Sequence, residues 1–473
     1  MDANHPLNSH NTIALPDIEF SEALVRRFDS SGPRYTSYPT ADRFNQSFDE
    51  QSYIDHLSRR ATAPSNPPLS VYFHLPFCEQ LCYFCACNKV ITQDHSRTTK
   101  YLQYLDIEME RVAGYLGNDR KTEQLHLGGG TPTFLTADEL TGLMNSVRQH
   151  FEFTPDAELG VEIDPRTVNE KTLAMLAGLG FNRTSFGVQD FDPDVQAAVN
   201  RIQPVEMVER ALKASRDAGF ESINADLIYG LPKQTLSSFA RTLDEIVRLS
   251  PDRIALYNYA HLPTRFKAQR LIQPEDLPSA ETRLQIFLMA TRRLLEAGYV
   301  YIGLDHFAKP DDELNLARLD KSLHRNFQGY TTRADCDLIG FGVSAIGKVG
   351  ASYSGSVRSV NAYYQALDEG RLPTERGFEL SVDDVLRRDV IMTLMCSMPL
   401  DFAKLDQQYG IVFEDYFAQE LAKLSQFYEA GLIVLADRVL NVTAKGRMFV
   451  RGVGMLFDKY LGQPTVSTYS KLI

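Results

Sequence analysis

Between residues 69 and 259, short runs rich in β-branched and aromatic residues recur, each followed by a stretch whose apolar positions share one helical face. The runs Leu69–Phe73, Gln124–Leu127, Glu158–Ile163, Arg183–Val188, Ser222–Ile228 and Arg253–Tyr259 predict strands. Tyr101–Leu116, Ala137–Phe151, Val205–Ala218 and Leu236–Leu249 predict amphipathic helices between them. Strand and helix alternating at about 25 to 55 residues is the pattern of parallel βα units. Three units close alike, at Ala177-Gly178-Leu179-Gly180-Phe181, Asp217-Ala218-Gly219-Phe220 and Glu296-Ala297-Gly298-Tyr299. In each, a glycine ends the helix and an aromatic residue opens the next strand, since glycine alone takes the left-handed position there without strain. The repeats therefore predict the corners of an α/β barrel, open or closed, and not a solenoid.

The flanks differ. Residues 1–66 are polar and mixed, ending in the loop-like run Ala61-Thr62-Ala63-Pro64-Ser65-Asn66-Pro67-Pro68. Beyond about residue 375, Val382–Met395, Asp401–Gln408 and Phe413–Glu429 read as helices. Leu432–Leu435 and Val439–Thr443 then flank Ala436-Asp437-Arg438 as a hairpin, before a last helix. Three helices and a hairpin can form a winged-helix module. Acidic and basic residues are mixed there without a basic recognition helix, so a packing or lid domain is expected in preference to a DNA reader. The expected domains are 1–66, 67–374 and 375–473.

Composition sharpens this picture. The 473 residues are 44% apolar and 23% charged, which fits a cored globular protein of up to about three domains. A formal net charge of −12 argues against nucleic-acid binding through bulk positive charge. Met1–Phe20 carries Asp2, Asp17 and Glu19 without a basic then apolar leader, so no secretory signal is expected. No run reaches the roughly 18 apolar residues of a membrane span. Ser470-Lys471-Leu472 resembles a peroxisomal address, but Ile473 follows it. A reduced cytoplasm is the expected compartment, and nothing in the sequence demands more than a monomer.

Four of the six cysteines fall within ten residues, in His74-Leu-Pro-Phe-Cys78-Glu-Gln-Leu-Cys82-Tyr-Phe-Cys85-Ala-Cys87. This segment leaves the first strand directly, at the strand end where parallel α/β proteins place their sites. A structural zinc knot is one reading, but zinc sites usually draw on two separated ligand pairs. No distant second pair is present, and an iron–sulfur cubane held by three thiolates with one iron open suits a CxxxCxxC loop better. The second strand ends in Gly128-Gly129-Gly130-Thr131-Pro132. Such a run is either a tight strand-to-helix turn or a place where a ligand approaches bare backbone.

The CxxxCxxC loop and the glycine run together resemble the radical S-adenosylmethionine superfamily. Further segments are similar to its oxygen-independent coproporphyrinogen III oxidases (dehydrogenases) over almost the whole chain. These are Gly32-Pro-Arg34-Tyr35-Thr36-Ser37-Tyr38-Pro39-Thr40, the fourth cysteine Cys87, Glu162-Ile-Asp164-Pro165-Arg166, Ser185-Phe-Gly-Val-Gln189-Asp190 and Asn224-Ala-Asp226-Leu-Ile-Tyr229-Gly230-Leu-Pro232. Gly303-Leu-Asp305-His306-Phe307, Arg325-Asn-Phe327-Gln328-Gly329-Tyr330-Thr331 and Ile339-Gly-Phe-Gly342-Val-Ser344-Ala-Ile346 match as well.

The resemblance implies an α/β fold, a partial (β/α)6 barrel with an N-terminal extension and a mainly α-helical C-terminal domain. It implies a [4Fe–4S] cluster on Cys78, Cys82 and Cys85, and two molecules of S-adenosylmethionine. The cluster-bound cofactor would use Tyr72, Gly129, Glu162 and Ile346. The second would use Phe84, Gly130, Thr131, Gln189, Arg201, Asp226 and Ala260. Taken singly, Glu162 and Asp226 could be capping acids and Ile346 a core residue. Cys87 as a fourth ligand would close the open iron, so it is not assigned to the cluster. Cys336 and Cys396 read as packing residues, and His74 and His306 as either structural or substrate-facing.

The implied reaction converts coproporphyrinogen III to protoporphyrinogen IX without oxygen, with no acid–base catalytic residue. A 5′-deoxyadenosyl radical would take a β-hydrogen from each of two propionates, and loss of carbon dioxide and an electron would leave vinyl groups. Partners implied are a low-potential donor, flavodoxin- or ferredoxin-like, and an electron acceptor. A tetracarboxylate substrate needs local cations, for which Arg34, Arg166 and Arg325 are candidates. The N-terminal segment is expected to cover the barrel mouth. The alternatives are a heme-binding chaperone on the same barrel, a radical enzyme acting on heme, and a zinc-bearing winged-helix regulator.

Overall fold

The computed structural model describes residues 13–15, 18–20, 22–28, 31–333 and 336–462. Most of Met1–Phe20, and the C-terminal Ser470-Lys471-Leu472, lie outside the described residues. The chain divides into two compact units.

The larger unit comprises 43–290 and 333–381. Strands β1 (Leu69–Leu75), β2 (Lys121–Gly129), β3 (Glu152–Ile163), β4 (Arg183–Gln189), β5 (Ser222–Tyr229) and β6 (Arg253–Asn258) stand side by side in chain order, all parallel. On the far side of β1 the sheet continues through β7 (Asp337–Phe341), which is also parallel to it. Then β8 (Ile346–Val349), β9 (Ser352–Ser356) and β10 (Thr374–Glu379) follow antiparallel. This is the partial (β/α)6 barrel with an antiparallel extension, and the sheet does not close. Each of the six strand runs read from the sequence falls within or overlaps one of β1–β6. The burial of nearly all of β1 reflects cover on both sheet faces.

Helices α1 (Glu50–Thr62), α2 (Ser96–Leu116), α3 (Ala137–His150), α4 (Glu170–Gly178), α5 (Pro193–Ala198), α6 (Val205–Asp217) and α7 (Leu236–Leu249) complete the βα units. The start of α3 is fixed by a reciprocal cap, in which Thr136 accepts from the Glu139 amide and Glu139 accepts from that of Thr136. Helix α1 lies in the stretch that read as polar. Its buried face has Tyr53 and Leu57, but also His56 and Arg60. Arg60 forms ion pairs with Asp337 at 2.6 Å and Asp119 at 2.9 Å, an arrangement hydropathy cannot register. Gly180, Gly219 and Gly298 all have φ near +90°, and Phe181, Phe220 and Tyr299 behind them are buried. The corner motif read from the sequence is thus met in each instance.

The smaller unit holds the described parts of 1–42, with 291–332 and 382–462. Helices Val382–Met395 and Phe402–Tyr409 appear as expected. The third stretch is broken into Phe413–Tyr416, Ala418–Lys423 and Ser425–Glu429. The hairpin Ile433–Ala436 with Val439–Val442 turns through two residues, Asp437 and Arg438, both at positive φ. Leu400–Asp401 adds a third strand to it. Phe402, Phe413, Phe417 and Phe457 form an aromatic core, with Phe402 stacked 4.1 Å from Phe413. The N-terminal motif docks within this unit. Tyr35 donates to Asp458 at 2.9 Å, and Arg451 donates to the carbonyls of Gly32 and Pro33. Among the described residues, no helix is long and apolar enough to cross a membrane.

Candidate functional site

The loop after β1 bears the cysteines, and its two ends are pinned together. Phe77 and Cys78 pair with Val90 and Ile91, and the Val90 amide donates to the Pro76 carbonyl at 2.7 Å. The loop between is fastened from the fourth βα unit. The Tyr83 amide donates to Val199 at 3.0 Å, and Asn200 donates to the Leu81 carbonyl at 2.8 Å. Gln269, buried on the segment after β6, donates to the carbonyls of Phe84 at 3.0 Å and Ala260 at 3.2 Å. Phe84 itself rests on the buried cluster Val195, Val199, Leu231, Tyr259 and Ile272.

Polar groups surround each cysteine. The Thr131 hydroxyl lies 3.4 Å from the Cys78 sulfur, and burial pushes that thiol up to about 11. Arg166 and Arg201 each present a guanidinium nitrogen 3.5 Å from the Cys82 sulfur. The two arginines share Asp164, at 2.7 and 2.9 Å. Burial would raise the Asp164 carboxyl, yet the Arg201 and Arg166 charges hold it below its usual range. A hydrogen bond from the Cys87 thiol, with Lys89 nearby, favours the thiolate at Cys85; Cys87 is pushed well up. Among the described residues, no three metal-ligating side chains converge as a single ion would require. A cubane makes no such demand, because each thiolate takes a different iron. Three thiols on one pinned loop, facing cationic and hydroxyl donors, fit that group.

The C-terminal ends of the neighbouring strands supply the rest of the rim. On β1 and β2, Tyr72 and His126 are register partners with rings stacked 6.0 Å apart. Burial keeps His74 neutral, so its Nε2–H donates to the Asn88 carbonyl at 2.8 Å and Nδ1 accepts from Tyr72 at 3.3 Å. Glu162 at the end of β3 meets His126 at 3.3 Å and accepts the Gly129 amide at 3.1 Å. Burial opposes its charge, but these contacts hold the carboxyl below its usual range. Asp226 on β5 accepts from Ser185 at 3.1 Å and Asn224 at 2.8 Å. Burial, then the Glu162 charge, pushes it up to about 7. Gln189 ends β4 at φ +67°, and its buried side-chain oxygen has no donor. Ile346 opens β8, with Gly340 backed against its carbonyl at a spacing no Cβ would tolerate.

The glycine run has a different cause from ligand approach alone. An added Cβ at Gly128 would lie 2.8 Å from Glu162, and at Gly129 2.7 Å from His74. At Gly130 it would lie 2.6 Å from the Pro76 backbone. The chain's own site residues fill the space above each glycine, so the run is what lets β2 close against the cysteine loop.

Every residue singled out in the sequence for the cluster and cofactors thus belongs to the larger unit. Arg166 lies with the cysteines, engaged by Asp164 and Gln80. Arg34 and Arg325 belong to the smaller unit. His126, Ser185, Asn224, Asp164 and Gln269 bear on the site but were not assigned roles from sequence. The first four sit on the strands or turns that hold assigned residues, two positions from Asp226 or Glu162 in two cases. Gln269 gave no local signal.

Comparison with known proteins bears directly on this site. The model of the radical SAM superfamily matches residues 72–246, and that of the HemN C-terminal domain matches residues 380–449. The chain is 47% identical over 461 residues to an oxygen-independent coproporphyrinogen III oxidase of Pseudomonas aeruginosa, covering 97% of this chain and 100% of that one. It is 45% identical to the enzyme of that name from Escherichia coli, covering 98% and 100%. A solved structure described as coproporphyrinogen III oxidase (HemN) from Escherichia coli, a radical SAM enzyme, superposes with a TM-score of 0.89, covering 94% of this chain and all of that one.

Proposed function

The chain belongs to the oxygen-independent coproporphyrinogen III oxidases, radical S-adenosylmethionine enzymes of anaerobic heme biosynthesis, and we propose that its rim residues hold two cofactor molecules beside one [4Fe–4S] cluster. Cys78, Cys82 and Cys85 would hold the cluster, leaving Cys87 free to hydrogen-bond. When bound, the cluster and its sulfonium cofactor supply a one-electron cleavage that yields the 5′-deoxyadenosyl radical. Each propionate of coproporphyrinogen III that reacts then gives up a β-hydrogen atom, carbon dioxide and one electron, and becomes vinyl.

The chain's own residues position and shield. Glu162 and the Tyr72 hydroxyl oxygen would accept at the cluster-bound cofactor, whose sulfonium is cationic. Glu162 is half-exposed and its carboxyl is held below the usual range, which suits it to that partner. Asp226 is costly to ionise while Glu162 stands near it, so a second cationic group between them would relieve both. Gln189 offers an unpaired acceptor on the same rim. Arg201 would meet a cofactor carboxylate, and the Ala260 and Ile346 backbone would flank adenine. Phe84 offers a ring, and Gly130 and Thr131 offer backbone amides.

The observation that supports this reading most is the ring of half-buried polar side chains at successive strand ends around one thiol-bearing loop. An electron donor of low potential and a separate acceptor complete the cycle, and a reducing cytoplasm is where such a cluster persists. Equilibrium dialysis of the anaerobically reconstituted protein with labelled S-adenosylmethionine tests the stoichiometry. Two molecules bound per chain, falling to one in Asp226→Ala, are expected; one in the unaltered chain overturns the second site.

A further inference from the structure

The smaller unit contains a buried cation that the radical chemistry does not use. Arg325 lies on the strand His324–Asn326, paired with Gly329–Thr331, and its register partner is Tyr330. The residue is only 9% exposed. Its Nε and Nη1 atoms are buried and have no hydrogen-bond acceptor. Its one clear compensation is the Tyr330 ring, whose centroid is 4.8 Å from the guanidinium carbon. That ring is immobilised, because the Tyr330 hydroxyl donates to the Met395 carbonyl at 2.8 Å and Gly303 leaves the space it occupies.

A face-on aromatic ring stabilises a guanidinium by about 0.5–2 kcal/mol. Leaving buried N–H donors of a charged group unmade costs more than that. A fold that holds such a donor pair rigidly fits an anion that arrives with the ligand. On the same hairpin the Gln328 side-chain nitrogen is also buried without an acceptor. The Nε–H points to the Nη2 side of the guanidinium and Nη1 lies on the Cδ side, so the two unpaired donors diverge and each calls for an acceptor oxygen of its own.

We propose that Arg325 is a substrate-binding residue that takes a carboxylate of the tetracarboxylate porphyrinogen. The subsite rests on the substrate reading above. It explains how a chain of net charge −12 attracts a tetra-anion: through a placed guanidinium instead of a basic surface.

The test separates binding from chemistry. Quenching of coproporphyrin III fluorescence is titrated against its tetramethyl ester, using reconstituted full-length protein and the variants Arg325→Met and Arg325→Lys. The unaltered chain is expected to favour the tetra-acid. Arg325→Met should weaken the tetra-acid by about 10- to 100-fold and leave the ester within twofold. Cluster absorbance and S-adenosylmethionine binding should not change. If Arg325→Met does not fold, Arg325→Lys keeps the buried charge but loses the Nε donor and the planar guanidinium, and should still weaken the tetra-acid severalfold. Equal weakening of acid and ester, or variants that bind the acid as the unaltered chain does, overturns the subsite. Failure of the unaltered chain to form vinyl product would instead overturn the reaction, and is scored separately.

Discussion

Arg201 holds a guanidinium nitrogen 3.5 Å from the sulfur of Cys82. A cation at that distance favours the more negative, reduced form of a cluster on that sulfur. Arg201→Met should therefore lower the cluster's reduction potential. If the contact is worth about 1.4 kcal/mol, the shift is about 60 mV for one electron. An EPR-monitored redox titration reads it, and an unchanged potential contradicts the assignment of Cys82 as a ligand beside Arg201.

Cys82→Ser removes one of three cluster thiolates. Iron content and the charge-transfer absorbance should fall to background, and turnover with them, while far-ultraviolet circular dichroism stays as in the unaltered chain. A variant that keeps both cluster and turnover contradicts the ligand set.

Gly130→Ala tests the close approach of β2 to the cysteine loop. The new methyl would sit 2.6–2.8 Å from the backbone of Leu75, Pro76 and Phe77, which cannot give way as a side-chain tip could. A loss of about 1–3 kcal/mol in stability is expected from overpacking. Iron incorporation should fall with it. Gly142→Ala, in open space on α3, is the control and should be neutral or slightly stabilising.

Stability of the cofactor-free protein should depend on pH through one buried and one half-buried carboxyl. Asp226 rises from 3.8 to about 7 on folding, and Glu108, buried between Tyr363 and the Gly342 amide, from 4.5 to about 7. A raised carboxyl pKa means that the unfolded chain releases its proton first. Stability is therefore lost as pH climbs from about 4 to about 7, and levels off above. Asp226→Asn should flatten part of that slope in anaerobic urea titrations at pH 5 and pH 8. A slope unchanged by the substitution contradicts the origin given for it.

The barrel was legible because parallel strands covered on both faces read as short β-branched runs, and because Gly180, Gly219 and Gly298 mark the corners. Helix α1 was not legible, since its inward face includes His56 and Arg60, whose burial depends on Asp337 and Asp119 from distant parts of the chain. The cysteine ligands could be read from local spacing. Gln269 could not, because its partners Phe84 and Ala260 use backbone carbonyls, which leave no mark in the sequence. The glycine run was recognised, but its reason was only visible once Glu162, His74 and Pro76 were seen to occupy the space above it.

The most direct measurement is anaerobic turnover of the reconstituted chain with reductant, S-adenosylmethionine, coproporphyrinogen III and a cell extract supplying an acceptor. Vinyl product, with 5′-deoxyadenosine and carbon dioxide in equal amounts for each vinyl group, is the predicted result. Tight heme binding without cofactor cleavage, or cleavage with no vinyl product on coproporphyrinogen III, would contradict it.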